Sequence, residues 1–140
     1  MANAAIYLPY SDFDLRDALE GAVATLDAAG RATRFDVMLG GEPVRFNIMP
    51  AAELSRHLAG FGGYVENLDE PDGRKADARL LIRNAKAVLG MVAGGDFEQN
   101  PALWQCLFRV ADRWDGFVFV YDSVLLPNGG VVVGPLRQDA

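Results

Sequence analysis

The feature that most constrains this chain is an order of elements that occurs once in each half. Each half has a short apolar segment, then a segment with apolar residues at helical spacing, then two apolar segments joined by a Gly-containing turn. The pattern predicts two strand–helix–hairpin units in tandem. The three parts are residues 4–8, 11–30 and 32–49 in the first half, and residues 87–92, 100–115 and 117–134 in the second.

This pattern predicts the α/β class, of the α+β type, with a mixed, largely antiparallel sheet and helices packed on one side of it. We expect a single domain over residues 1–140, because a chain of 140 residues has the usual length of one domain and can bury a core. The internal repeat would cover residues 4–49 and 87–134. Helices and an acidic loop at residues 62–75 would join its two units.

Local signals support the hairpins and the last helix. Gly40-Gly41 and Asn128-Gly129 separate apolar segments, and Asn-Gly is typical of a type I′ turn. Asn100 followed by Pro101 predicts the start of a helix, since Asn is a favoured N-cap and Pro is favoured at the first helical position.

Charge and composition exclude several partners and compartments. The net charge is -6 and the 13 basic residues are spread along the chain, so we expect no nucleic-acid partner. The apolar runs are far shorter than the ~20 residues of a spanning helix, so we expect no membrane partner. A single cysteine and a first segment without the pattern of a secretory signal predict a cytoplasmic location.

The residues that usually carry catalysis or bind metals are scarce. The single His57 and the single Cys106 have no partner at ligand spacing, so we expect no metal and no cofactor. His57 is expected on a solvated helix surface. Residues 90–95 form a Gly-rich segment between a strand and a helix, but Asp96 and Glu98 would repel a phosphate there. Whether the chain is an enzyme stays open, and the residues favour a non-enzymatic role.

The last predicted helix carries an unusually wide apolar surface. Its apolar residues cover about 200° of the circumference, more than one sheet contact needs. Either another helix of the chain or a second molecule must cover the excess. We therefore expect a non-enzymatic protein-interaction domain, with self-association as a homodimer or an antagonist or immunity-type role as its possible forms. The candidate interaction residues are Trp104, Phe108, Trp114, Glu66, Asp69 and Glu70.

The alternative is a domain that binds a small-molecule ligand in an apolar cavity between the two repeats. The candidate lining residues are Tyr7, Phe35, Phe46, Phe119 and Tyr121. The tandem order of elements is similar to that of gyrase-inhibitor-like ligand-binding domains and, less closely, of vicinal oxygen chelate domains. The first resemblance implies ligand binding between duplicated modules. The second implies a metal site of His and Glu, which a chain with one His disfavours.

Overall fold

The computed structural model describes residues 1–137, and residues 138–140 lie outside the described part. The elements are β1 (Ala2–Leu8), β2 (Val23–Leu26), β3 (Ala32–Leu39), β4 (Glu42–Ile48), α1 (Ala51–Glu66), α2 (Asp72–Arg83), β5 (Ala87–Ala93), α3 (Pro101–Arg113), β6 (Phe117–Val120), β7 (Ser123–Leu125) and β8 (Val131–Val133).

The strands form one eight-stranded sheet in the order β2-β3-β4-β5-β1-β6-β7-β8. Every pairing in it is antiparallel. The central strand β1 places Ile6 between Leu89 of β5 and Val118 of β6. The prediction of an α+β fold with a largely antiparallel sheet and packed helices is confirmed.

Helices cover both faces of the sheet, so the expectation of helices on one side is wrong. Alternate residues of a strand point to opposite faces, and from Ala4 to Leu8 β1 is apolar on both. Ile6 and Leu8 belong to a core that α3 covers, whereas Tyr7 belongs to a second core beneath α1 and α2. The middle of β1 is apolar because both of its faces are covered, whereas Asn3 near its start and Val92 near the end of β5 are exposed.

The helix predicted over residues 11–30 is wrong. This segment contains only one 3-10 turn at Leu15–Asp17, followed by strand β2. Leu15 and Leu19 are buried in the core under α3 without a regular helix around them. Gly21 adopts a φ of 81°, which a right-handed helix does not allow. The apolar spacing thus reflects burial of a looped segment and not helical periodicity.

The acidic loop predicted at residues 62–75 is also mostly helical. Helix α1 passes through Gly62 and Gly63 to Glu66, and α2 begins at Asp72, so the connector comprises residues 67–71. Phe61 and Val65 bury the inner face of α1 against the sheet side that contains Tyr7. This burial stabilises the helix despite its glycines, because tertiary packing outweighs intrinsic propensity.

The two hairpin units join the central strands differently. In the first half β4, the last strand of its meander, pairs with β5. In the second half β6, the first strand of its meander, pairs with β1. The internal repeat stays a prediction.

The two edge strands of the sheet also differ in the contacts that their backbone makes. Arg74 of α2 donates through Nη1 to the carbonyl oxygens of Val131 and Val132 in the edge strand β8, at 3.1 and 3.3 Å. Strand β2 forms the other edge and pairs only with β3 among the described strands. Within residues 1–137, no helix has the length and apolar character needed to cross a bilayer.

Candidate functional site

An open groove of about 800 Å³ lies at the N-terminal end of α3. Three parts of the chain form it: the start of α3 with the segment before it, the turn between β6 and β7, and the segment after β8. We call it the aromatic groove. Its lining residues are Phe97, Glu98, Pro101, Trp104, Gln105, Tyr121, Asp122, Pro135 and Leu136.

Aromatic rings dominate the aromatic groove. The ring of Phe97 contacts Trp104 and Tyr121 edge-on, with centroids 5.5 and 5.6 Å apart. Trp104 and Tyr121 lie 6.3 Å apart, and Phe108 extends the cluster at 5.1 Å from Trp104. Tyr121 is 51% exposed. The rings therefore offer faces and edges to a molecule in the groove as well as to each other.

Hydrogen bonds to the neighbouring hairpin hold the first wall of the groove in place. Asn100 caps α3 by accepting from the Ala102 N–H, and its amide donates to the Leu39 carbonyl and the Glu42 carboxylate. The same carboxylate accepts from the Gly95 N–H at 2.8 Å. These bonds fix both ends of the short segment that carries Phe97 and Glu98.

The second wall is a strained turn. Tyr121 and Asp122 form a two-residue connection between β6 and β7, and both adopt left-handed φ angles, of 50° and 60°. Positive φ at both positions defines a type I′ turn, which normally contains Gly, Asn or Asp. A tyrosine in this conformation is uncommon, and such strain clusters at functional sites. The turn is the only one described in which two consecutive residues other than Gly have positive φ.

Contacts behind the third wall fix the segment after β8. The Leu136 N–H donates to Ser123 Oγ, and the Gly134 N–H donates to the Glu70 carboxylate at 3.0 Å. Glu70 also forms an ion pair with Arg137 at 2.9 Å, with only 8% of its side chain exposed. Because the first and third walls are anchored by these contacts, the groove is formed in the unliganded chain.

The polar rim of the aromatic groove is acidic. Among its described lining residues, Glu98 and Asp122 are charged and none is basic. Neither carboxylate takes part in any of the ion pairs or side-chain hydrogen bonds of residues 1–137. The nearby Asp96 lies outside this lining and is ion-paired with the amino group of Met1 at 2.7 Å.

One predicted interaction residue, Trp104, and one predicted cavity residue, Tyr121, line this groove. Phe108 contacts Trp104 edge-on and lies outside the lining. Trp114 lies elsewhere: it is 8% exposed, contacts Phe13 edge-on at 5.9 Å and is covered by the Arg113 guanidinium at 5.2 Å. The looped residues 9–22 thus cover the flank of α3 that was expected to need another helix or a second molecule.

The three acidic interaction candidates have different surroundings. Glu66 pairs with Arg79, and Glu70 is bound to Arg137 and Gly134. Asp69 is exposed. Only Asp69 is therefore presented to solvent without an internal contact of its carboxylate among the described residues.

The remaining cavity candidates do not surround a common space. Phe35 and Phe46 are buried in the core under α3, whereas Tyr7 and Phe119 belong to the core under α1 and α2. Tyr7 stacks on Phe117 at 4.7 Å, and Phe119 contacts Phe61 at 4.9 Å. The sheet itself separates these two groups.

Sequence reasoning misplaced His57 and missed its partner. His57 is half-buried and its Nε2 lies 2.7 Å from the Tyr7 hydroxyl. Burial raises the pKa of Tyr7 well above its ordinary value of 10.0. Burial likewise raises the pKa of Cys106 to about 12, so this thiol is protonated and unreactive at neutral pH. No group of three or more His, Cys, Asp or Glu within residues 1–137 is arranged to hold a metal ion.

The sequence also missed Phe97, Glu98, Pro135 and Leu136 as site residues. Phe97 and Leu136 are apolar residues in irregular segments, which is the one signal that could have drawn attention to them. Comparisons with known proteins add no relative: no family model matches the chain, and neither the curated proteins nor the solved structures yield a match.

Proposed function

We propose that this chain is a non-enzymatic interaction domain that takes up a segment of a protein partner in the aromatic groove. The observation that carries the proposal is the convergence of Phe97, Trp104 and Tyr121 on one open, anchored surface. Tryptophan and tyrosine are enriched among the residues that contribute most to protein interfaces. The groove is open to solvent, so it suits a segment laid across it better than a ligand enclosed on all sides.

The strained turn supports the same proposal. A glycine at position 121 would avoid the left-handed strain, yet it would remove the exposed ring from the groove. Holding a tyrosine there costs roughly 1–2 kcal/mol of conformational energy. Such a cost is typical of residues retained for binding and not for stability.

Charge favours a partner other than a second copy of this chain. Two copies that met through their aromatic grooves would bring Glu98 and Asp122 of one rim close to the same residues of the other. Like charges at an interface oppose association, and the chain as a whole has a net charge of -6. An antagonist of a basic partner fits these charges, and we place that activity in the cytoplasm.

Site-specific photo-crosslinking tests the proposal. A benzophenone amino acid at Gln105, inside the groove, is expected to give a cross-linked partner in cells, and the product is expected to disappear with Tyr121→Ala. The same amino acid at Glu53, exposed on α1, serves as the control. No product at Gln105, or a product that Tyr121→Ala leaves unchanged, would contradict the proposal. A product with twice the mass of the chain would identify a second copy as the occupant instead.

A small-ligand domain is the second candidate, and the volume of the groove favours it. About 800 Å³ lies within the range of small-molecule sites, roughly 300–1,000 Å³. This version places the ligand in the aromatic groove and not between the two halves. Native mass spectrometry of the purified chain is expected to show a retained small molecule that Trp104→Ala releases.

A further inference from the structure

The chemistry of the aromatic groove indicates what kind of side chain it accepts. We infer that the partner segment inserts a basic side chain, an arginine, between Trp104 and Tyr121, with its guanidinium group facing Glu98 and Asp122. This inference rests on the proposed function and goes beyond it by naming the chemistry of the occupant. It combines three features of the groove: the ring faces, the two carboxylates of the rim, and the absence of a basic side chain among the described lining residues.

The aromatic rings attract cations through their negative faces. A guanidinium group within about 6 Å of the centroid of a Trp or Tyr ring is attracted to the ring, and Trp is the best partner. Trp104 and Tyr121 have centroids 6.3 Å apart at an angle of 34°. A planar group that packs against both rings would be held by two such interactions.

The acidic rim completes the site for a cation. Glu98 and Asp122 line the groove beside these rings, and neither carboxylate has a cationic partner within residues 1–137. An anionic or purely apolar segment would leave these charges uncompensated or partly desolvated, which costs free energy. Charge complementarity therefore favours a basic occupant over both alternatives.

Arginine fits the groove better than lysine does. Its guanidinium group is planar and stacks on aromatic faces while its N–H groups pair with carboxylates, whereas an ammonium group is a compact and strongly hydrated charge. The chain already contains one guanidinium–aromatic contact, because the Arg113 guanidinium lies 5.2 Å from the centre of the Trp114 ring. The three-carbon stem of an arginine would cover the apolar surface of Pro101 and Leu136.

The test uses three acetylated and amidated pentapeptides, Gly-Ser-Xaa-Ser-Gly, with arginine, citrulline or leucine at the centre. Citrulline matches the shape of arginine and lacks its charge. The peptides are titrated into the ¹⁵N-labelled full chain and followed by NMR. The arginine peptide is expected to shift the Trp104 indole and the amides of residues 97, 105 and 121, and to bind about tenfold or more tightly than the citrulline peptide.

A pair of double variants distinguishes the effect of the two rim carboxylates from the effect of net charge. Glu98→Gln/Asp122→Asn is expected to weaken arginine-peptide binding about tenfold or more. Glu53→Gln/Asp77→Asn changes the net charge equally at exposed positions on α1 and α2 and is expected to leave binding unchanged. Equal weakening by both double variants would overturn the inference.

The other outcomes distinguish the inference from the proposed function. If the leucine or citrulline peptide shifts the same groove signals as strongly as the arginine peptide, the inference is wrong and the proposed function stands. If no peptide shifts the groove signals and the Gln105 cross-link is also absent, both are wrong. If the cross-link forms but the arginine peptide causes no shift at millimolar concentration, only the inference is wrong.

Discussion

The amide of Asn100 donates a hydrogen bond to the carboxylate of Glu42 at 2.9 Å, and this bond joins the start of α3 to the hairpin between β3 and β4. The same amide donates to the Leu39 carbonyl at 3.0 Å. The Asn100 side chain that makes these bonds lies against the turn residue Gly40. A Cβ at position 40 would overlap it. The junction therefore depends on two neighbouring glycines in different ways.

Substitution of these glycines is expected to separate backbone strain from the contact with Asn100. Both have positive φ, of 56° for Gly40 and 82° for Gly41, but only Gly40 faces Asn100. Gly41→Ala is expected to lower the free energy of unfolding by about 1–2 kcal/mol through strain alone. Gly40→Ala is expected to cost about 1 kcal/mol more, because it also displaces a hydrogen-bonded amide. Urea denaturation measures both, and equal losses would show that Asn100 adapts freely.

The Glu42 carboxylate is expected to stabilise the fold in a pH-dependent way. The hydrogen bond from Asn100, and then that from the Gly95 N–H, lower its pKa below the ordinary value of 4.5. A lowered pKa in the folded state stabilises the protein above pH 4.5, and this stabilisation is lost as the pH falls through the folded-state pKa.

We therefore expect the difference in Tm between the unmodified chain and Glu42→Gln to be largest near pH 7 and to shrink towards pH 3. Thermal unfolding followed by circular dichroism across this range measures it. Glu53→Gln, at an exposed position on α1, is the control and is expected to show no such trend. A difference that stays constant with pH would show that the carboxylate charge does not matter at this junction.

Two adjacent acidic residues of the connector are expected to differ sharply in how much they contribute to the free energy of unfolding. Glu70 accepts from the Gly134 N–H and pairs with Arg137, while Asp69 is exposed. Glu70→Ala is expected to lower the free energy of unfolding by about 1.5–3 kcal/mol, the typical loss for hydrogen bonds to a charged group. Asp69→Ala is expected to change it by less than about 0.5 kcal/mol. Similar losses for both would contradict the role of Glu70 as an anchor for the third wall.

Tyr7 is expected to make the protein sensitive to alkali. Its pKa is raised by burial, so the folded state keeps the hydroxyl neutral at pH values where the unfolded state has ionised it. The resulting stability is fully present below pH 10.0 and is lost as the pH rises above this value.

The Tm of the unmodified chain is thus expected to fall more steeply above pH 10 than that of Tyr7→Phe. At pH 7 the variant is expected to be less stable by about 0.5–1.5 kcal/mol, because it loses the hydrogen bond with His57. Tyr10→Phe, at a residue that is 49% exposed, is the control and is expected to match the unmodified chain.

The strained turn is expected to lower the stability of the fold while it supports binding in the aromatic groove. Asp122→Gly removes one left-handed non-glycine residue and is expected to raise the free energy of unfolding by up to about 1 kcal/mol. It also removes one carboxylate from the rim of the aromatic groove, so it is expected to weaken binding of the arginine peptide. Chemical denaturation and the NMR titration measure the two effects. A variant that is both less stable and equally able to bind would contradict this account.

Much of the second half could be predicted from the sequence because its signals are local. Asn100 and Pro101 start α3, and the apolar runs of β5 and β6 lie in the central strands. The left-handed turn at residues 121–122 is hard to predict, because Asp122 is typical of such a turn but Tyr121 is not and no Gly is present. At the predicted turn Asn128-Gly129, only Gly129 has a positive φ, so that turn is not of type I′.

The first half could not be predicted as well because its apolar spacing has a tertiary cause. Leu15 and Leu19 are buried beneath α3 in a looped segment, and helical spacing alone does not distinguish this from a helix. The aromatic groove is hard to predict from the sequence for a similar reason. The sequence marks Trp104 and Tyr121 as separate candidates, and only the pairing of β6 with β7 brings the turn that carries Tyr121 beside α3.

The guanidinium group of Arg74 has a consequence for how these molecules can join. It occupies the carbonyl oxygens of Val131 and Val132, so the β8 side offers little to an incoming strand from another molecule. Strand addition is left to β2 at the opposite side. Strand addition that uses β2 alone would join two molecules in a closed pair and would not propagate into a filament, which needs two joining edges on each molecule.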